Sequence, residues 1–127
     1  MIKFDLLEEL ANHLTEGELS HDNFNFTDYK GCALLECVVL WPKQWYLNSG
    51  SEPLLIKSNN NKPCSCGREF FGLKTVAYDH LFVPTMQKPD LFGGLPLGDN
   101  ASKEQVAENI IAFCKRMKDQ VFQSSFR

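Results

Sequence analysis

The chain lacks the features that mark a secreted or membrane-bound protein. No basic stretch followed by an apolar run opens it, so no signal peptide is expected. Its apolar runs fall far short of the roughly 20 residues needed to span a bilayer. An excess of positive charge is also missing: 13 Lys and Arg stand against 16 Asp and Glu, a formal net charge of −3. Without a global positive field, neither a nucleic acid nor a membrane is an expected partner. No Ser occupies a G-x-S-x-G setting, no glycine-rich loop follows a clear strand, and no paired carboxylates have a site around them. Internal repeats and low-complexity tails are absent. The five Cys, odd in number and irregular in spacing, make a poor disulfide framework and fit a reducing compartment. The expected location is the cytoplasm.

What is present is enough for one domain. With 127 residues, 43% of them hydrophobic, residues 1–127 are read as a single domain able to bury a core without staples. The stretch Gly31–Leu40 is apolar or small except for Glu36, and a helix that apolar must be surrounded by the rest of the fold. It is expected over about 29–40, capped by Asp28 or Thr27 and stopped by Pro42. Before it, Ile2, Leu6, Leu7, Leu10, Ala11 and Leu14 give an amphipathic helix ended by Gly17 as a left-handed cap. Phe24 and Phe26 alternate as in a short extended piece. Pro42 to Leu47 reads as a short second helix that turns Trp45 and Tyr46 onto the core. A turn at 48–51 and a short strand at 54–56 follow.

From Cys64 the pattern is helical again. Phe70-Phe71-Gly72-Leu73 predicts a Schellman-type stop, with Gly72 at positive φ and Leu73 packing back. Thr75 is expected to cap a helix over 76–82, with Val76, Ala77, Leu81 and Phe82 as apolar contacts. Residues 84–100 are the least regular stretch, of a length usually functional or mobile. Ser102-Lys103-Glu104-Gln105 reads as a capping box. It opens a last helix over about 102–122, with Val106, Ile110, Phe113, Cys114, Met117 and Val121 on one face. The expected fold is mainly α, a single compact helical domain with room for one small two-stranded β element.

The order of short motifs carries a resemblance. Asp28 leads into Gly31-Cys32-Ala33, followed by Trp41-Pro42 and Trp45, then Glu69-Phe70-Phe71-Gly72-Leu73. His80-Leu81-Phe82-Val83-Pro84 and the Gln105–Ile110 helix running to Phe113 complete the series. Over roughly residues 28–114 the chain resembles a family of small uncharacterised bacterial and prophage proteins, of the kind found as integron gene-cassette proteins. The resemblance implies a small helical domain in a mobile genetic element, and it carries over no catalytic residue.

Chemistry-bearing residues are few. Cys32, Cys37, Cys64 and Cys66 are the candidate metal ligands, since four thiolates suit zinc. Their spacing argues against convergence: five positions on a helix separate Cys32 and Cys37 by about 140°, and Cys64-Ser65-Cys66 lacks the usual two-residue gap. No cofactor is expected. A nucleophilic pair of Cys64 or Cys66 with His21 or His80 is the enzyme option, helped by a helix start and by Lys62 and Arg68. His80 is expected to face solvent or bond locally. His13 and His21 read as surface residues, and Glu8-Glu9 as a solvated helix face. Lys115, Arg116 and Lys118 suit the C-terminal end of their helix.

The remaining candidate is the apolar island in the irregular stretch. Leu91, Phe92, Leu95 and Leu97 either fold over the core or form an exposed patch, with Trp45 and Tyr46 as aromatic anchors. The leading expectation is therefore a non-catalytic binding or interaction protein, engaging a protein partner or a second copy of itself. Two alternatives stand beside it. One is a small enzyme or zinc-dependent protein using the Cys64/Cys66 region, and the other is a small-molecule binder with an aromatic-lined pocket.

Overall fold

A computed structural model describes residues 1–19, 33–83, 86–94, 96–97 and 101–124, the last four of these without their side chains. Among the described residues the protein is mainly helical, with α1 (Phe4–Glu16), α2 (Glu36–Leu40), β1 (Trp45–Leu47), β2 (Pro53–Leu55), α3 (Pro63–Phe71), α4 (Thr75–Phe82), α5 (Pro89–Phe92) and α6 (Lys103–Ser124). None of these helices is long and apolar enough to cross a membrane.

The largest interface joins α1 to α6. It buries Leu7, Leu10, Ala11 and Leu14 from α1 against Val106, Ile110 and Phe113, the stripes expected from their spacing. The two helices run antiparallel, because Glu8 pairs with Lys118 while Thr15 shares a groove with Ala107 and Glu108. The capping box forms in full: the Ser102 amide donates to Gln105 Oε1 at 2.8 Å and the Gln105 amide to Ser102 Oγ at 3.1 Å.

Gly17 does not end α1 in a left-handed turn. Its backbone is extended, at φ −87° and ψ 168°, and its amide donates to His13 O. Here the missing side chain admits the His13 ring, which a Cβ at Gly17 would strike. Gly72 behaves as expected, at φ +67°, and the Leu73 amide reaches back to Arg68 O at 2.9 Å. The space left by its missing Cβ is filled by the Met1 carbonyl, and Lys3 N–H bonds Phe71 O, so the chain's start is fastened to the end of α3.

The central helix is shorter than its apolar sequence suggests. Residues 29–32 lie outside the described residues, as do Asp28, Phe24 and Phe26; residues 33–35 form a turn, and α2 begins at Glu36. Trp41 follows it and Pro42 prevents its continuation. Beyond Pro42 the expected second helix is absent. A turn at 42–44 leads into β1, which pairs antiparallel with β2 in the register Trp45↔Leu55, Tyr46↔Leu54 and Leu47↔Pro53. Asn48 sets the reversal, its Oδ1 accepting the amides of Gly50 and Glu52 at 2.9 Å each. Three apolar residues with aromatic β propensity gain more from a ladder with β2 than from one isolated helical turn. Trp45 is consequently buried while Tyr46 points outward.

Trp45 and Trp41 join Phe70 and Phe71 in one aromatic cluster, with Trp41–Phe70 centroids at 4.9 Å and Trp45–Phe70 at 5.3 Å. Stacking of Phe71 on Phe82 at 5.7 Å extends it into α4. The Lys74 backbone, rather than Thr75, occupies the cap position of α4, and Thr75 is the first helical residue. Val76 consequently lies on the exposed side, and the buried side carries Ala77, Tyr78, His80, Leu81 and Phe82.

Candidate functional site

His80 is fully buried, contrary to its expected place toward solvent. Ala77 lies three residues before it on the same helical face, and Leu81 and Phe82 flank it, so the helix carries it inward. Its Nδ1 accepts the Lys88 amide at 2.8 Å, an interaction local in sequence. Phe92 lies against the ring at 5.2 Å between centroids, and Phe113 at 6.5 Å. Burial pushes the imidazole pKa below its ordinary 6.5; the Asn109 side chain and the Gly93 backbone pull weakly the other way. His80 is thus a neutral ring. With Nδ1 accepting, its proton sits on Nε2, and that buried nitrogen has no hydrogen-bond partner.

Asn109 projects from α6 beside this histidine. It lies on the apolar stripe between Val106 and Phe113 and is 2% exposed; its side chain meets the His80 ring, and neither Nδ2 nor Oδ1 has a well-formed hydrogen bond. Gln87 adds a third incomplete group: its Oε1 accepts the Leu97 amide at 2.6 Å, while its buried Nε2 has no partner. Such atoms are uncommon in folded proteins, where the large majority of buried polar groups are paired.

The segment over these groups is shaped by two glycines. Gly93 adopts φ +81° and ψ −174°, a region essentially reserved for glycine, and Gly94 follows at φ +84°. The missing side chain at Gly94 admits Asn109 Oδ1, which a Cβ there would strike. Between this segment and α6 lies a cavity of about 310 Å³, lined by residues that include Gly94, Leu97, Gln105, Glu108, Asn109 and Ala112. Among the described residues its lining has no aromatic ring, unlike the pocket expected for a small-molecule binder. Arg116 ties α5 to α6 through the Asp90 carbonyl at 3.3 Å.

The sequence-derived interaction residues scatter across this geometry. Leu91 is 54% exposed, and Met86 is also exposed. Phe92 is half-buried and folds onto His80 and Phe113, and Leu97 packs partly against the core. Leu95 lies outside the described residues. Trp45 is 1% exposed and belongs to the aromatic cluster, so it cannot anchor a partner at the surface. Tyr46 is exposed, but β1 packs on β2 and α2, whereas α5 packs on α4 and α6.

The cysteines also stand apart. Cys32 lies outside the described residues; Cys37, Cys66 and Cys114 are buried and Cys64 is half-buried. Cys66 Sγ accepts the Leu55 amide at 3.5 Å and donates to Asn60 O at 3.7 Å. Burial pushes the Cys66 thiol up, and that of Cys114 to about 12, the opposite of an activated nucleophile. Among the described residues no three His, Cys, Asp or Glu side chains gather as a ligand set. His21 lies outside them.

His13 is not a surface residue either. Its Nε2 meets Glu36 Oε1 at 3.0 Å, with the two side chains 8% and 2% exposed. Glu36, the one charge in the central apolar stretch, thereby joins α2 to α1. On the surface, Glu8 is engaged by Lys118, whose ammonium also lies 5.5 Å from the Phe4 ring centroid.

Asn109 and Gln87 were missed as site residues in the sequence. The available signal was a polar side chain at a stripe position, three residues after Val106 and four before Phe113. Comparison with protein-family models, with curated proteins and with solved structures found no match.

Proposed function

We propose that this chain is a non-catalytic binding protein whose site is the surface formed by residues 86–97 against α4 and α6. The observation that carries this reading is the open cavity of about 310 Å³ between Gly94, Leu97 and α6, next to α5 with its exposed Leu91. The exposed Leu91 and Met86 in the same segment add apolar surface for a protein partner or a second copy of the chain. The resemblance in the sequence supports a mobile-genetic-element setting, and the thiol-rich composition supports the cytoplasm. The raised Cys66 thiol weighs against the alternative of a cysteine enzyme.

Native mass spectrometry of protein purified under reducing conditions tests this reading. The expected result is a retained ligand mass or a second chain, lost in Leu91→Asp or Asn109→Leu. A bare monomer, with both variants as stable as the parent, would overturn it.

A further inference from the structure

We propose that His80 is a pH-sensitive clasp: the neutral ring holds the α5 segment against α4 and α6, and a proton taken up at Nδ1 releases it. The proposal concerns the contacts of His80 and α5 alone, so it stands or falls separately from the binding reading above.

The ring reaches both ends of α5. Its Nδ1 accepts the Lys88 amide at 2.8 Å, just before the helix begins. Phe92, the last helical residue, lies 5.2 Å from it between centroids. The Gly93 backbone that follows is close enough to favour a proton on the ring, as is the Asn109 side chain of α6, although Nε2 makes no well-formed hydrogen bond to either. Two further contacts tie α5 to α6: the exposed bond from Arg116 to the Asp90 carbonyl, and Phe92 against Phe113 at 5.4 Å. A helix of four residues has no stability of its own. Gly93 and Gly94, both at positive φ, give the chain a swivel where it leaves.

Protonation inverts the first contact. A neutral imidazole with its proton on Nε2 offers Nδ1 as an acceptor, whereas an imidazolium is a donor at both nitrogens. The proton, drawn from solvent, sits on Nδ1 facing the Lys88 N–H, donor against donor. The ring is fully buried, so water does not reach the new charge. Of the charged residues that flank its contacts, Lys88 and Asp90 on the α5 side and Glu108 and Arg116 on α6 are exposed, Asp79 on α4 is half-buried, and none adds to the ring's titration. Cys114, the buried thiol that follows Phe113, is pushed up to about 12 and stays neutral.

Moving the segment aside restores water to the ring. Protons therefore bind the open form more tightly than the closed one, and acid shifts the population toward it. The transition falls below the ordinary 6.5, because burial in the closed form opposes the charge. Release uncovers the half-buried Phe92 and the fully buried Phe113, which changes the apolar surface presented at this end of the molecule.

NMR of the free protein, titrated from neutral pH into acid with hydrogen exchange read at each step, tests the clasp. The His80 ring and the Leu91, Phe92 and Gly93 amides, all hydrogen-bonded around α5, are expected to change with one common midpoint below 6.5. Those amides should lose about tenfold or more in protection, while Ile110 and Phe113 in α6 keep theirs. His80→Asn places an acceptor near the position of Nδ1 and takes up no proton, so it should abolish the midpoint and leave α5 protected. A ring that protonates while the α5 amides stay unmoved would overturn the proposal. So would a ring that stays neutral until α5 and α6 lose protection together, the sign of global acid unfolding, or a midpoint that survives in His80→Asn. If that variant does not fold, the wild-type comparison of α5 with α6 decides alone.

Discussion

The two ends of the molecule treat buried polarity in opposite ways. Around α1, α2 and the hairpin, Glu36 and His13 satisfy one another at 3.0 Å, and Cys66 bonds both the Leu55 amide and the Asn60 carbonyl. Among the described residues there, the Trp45 indole nitrogen alone is buried without a partner. Around α4, α5 and the middle of α6, three side chains keep buried atoms unpaired. The first end reads as structure, because its polar groups stabilise the contacts that hold them. The second uses only part of its polar capacity, His80 holding the Lys88 amide and Gln87 the Leu97 amide while their other nitrogens stay unpaired.

Substitutions should separate the two ends, beginning with the largest effect. Glu36→Ala, which strands the buried His13, is expected to cost about 3–5 kcal/mol in denaturant unfolding, as breaking buried pairs does. A loss near zero would move Glu36 out of the structural class. His80→Leu should cost about 1–3 kcal/mol, because the Lys88 amide loses its acceptor.

That second cost should also depend on pH. Burial lowers the folded pKa of His80 below the unfolded value of 6.5, so below 6.5 the unfolded chain binds the extra proton. Its stabilising share is complete above 6.5 and is lost as pH falls toward the folded pKa. The stability gap between wild type and His80→Leu should therefore narrow in acid, and a gap that widens would contradict a neutral buried ring.

Ser102→Ala removes one arm of the capping box and should cost about 1 kcal/mol, a structural effect remote from the unpaired groups. Asn109→Leu should change stability least, within about 1 kcal/mol and in the stabilising direction, since it removes two unpaired polar atoms from a buried position. A loss above about 2 kcal/mol would show that Asn109 is already satisfied, and the contrast between the two ends would collapse. Calorimetric unfolding curves measure both.

How much was legible varies by element. The terminal helix, its capping box and the Gly72 stop could be read directly, because each rests on residues within one or two turns of each other. Gly17 shows where local reading ends: glycine after a helix suggests a left-handed cap, yet here it makes room for the His13 ring turned toward Glu36, 23 residues away in the chain. Trp45 and Tyr46 show the same limit, since the ladder that turns one inward and the other outward depends on Pro53–Leu55.

The sequence by itself determined the class of the protein, mainly helical with a small β element, since hydrophobic period and capping chemistry are local properties of the chain. Its three Pro and three Gly marked 84–100 as irregular, yet the described part of that stretch contains the short helix α5, which the sequence reading did not foresee. Only the tertiary structure decided which polar residues lie buried and which of those find partners. Pairing is a matter of distance between side chains on different elements, and the sequence marks only Asn109, by its place on an apolar stripe. Packing buried His80 and Asn109 and half-buried Gln87, and it decided which of their polar atoms found partners.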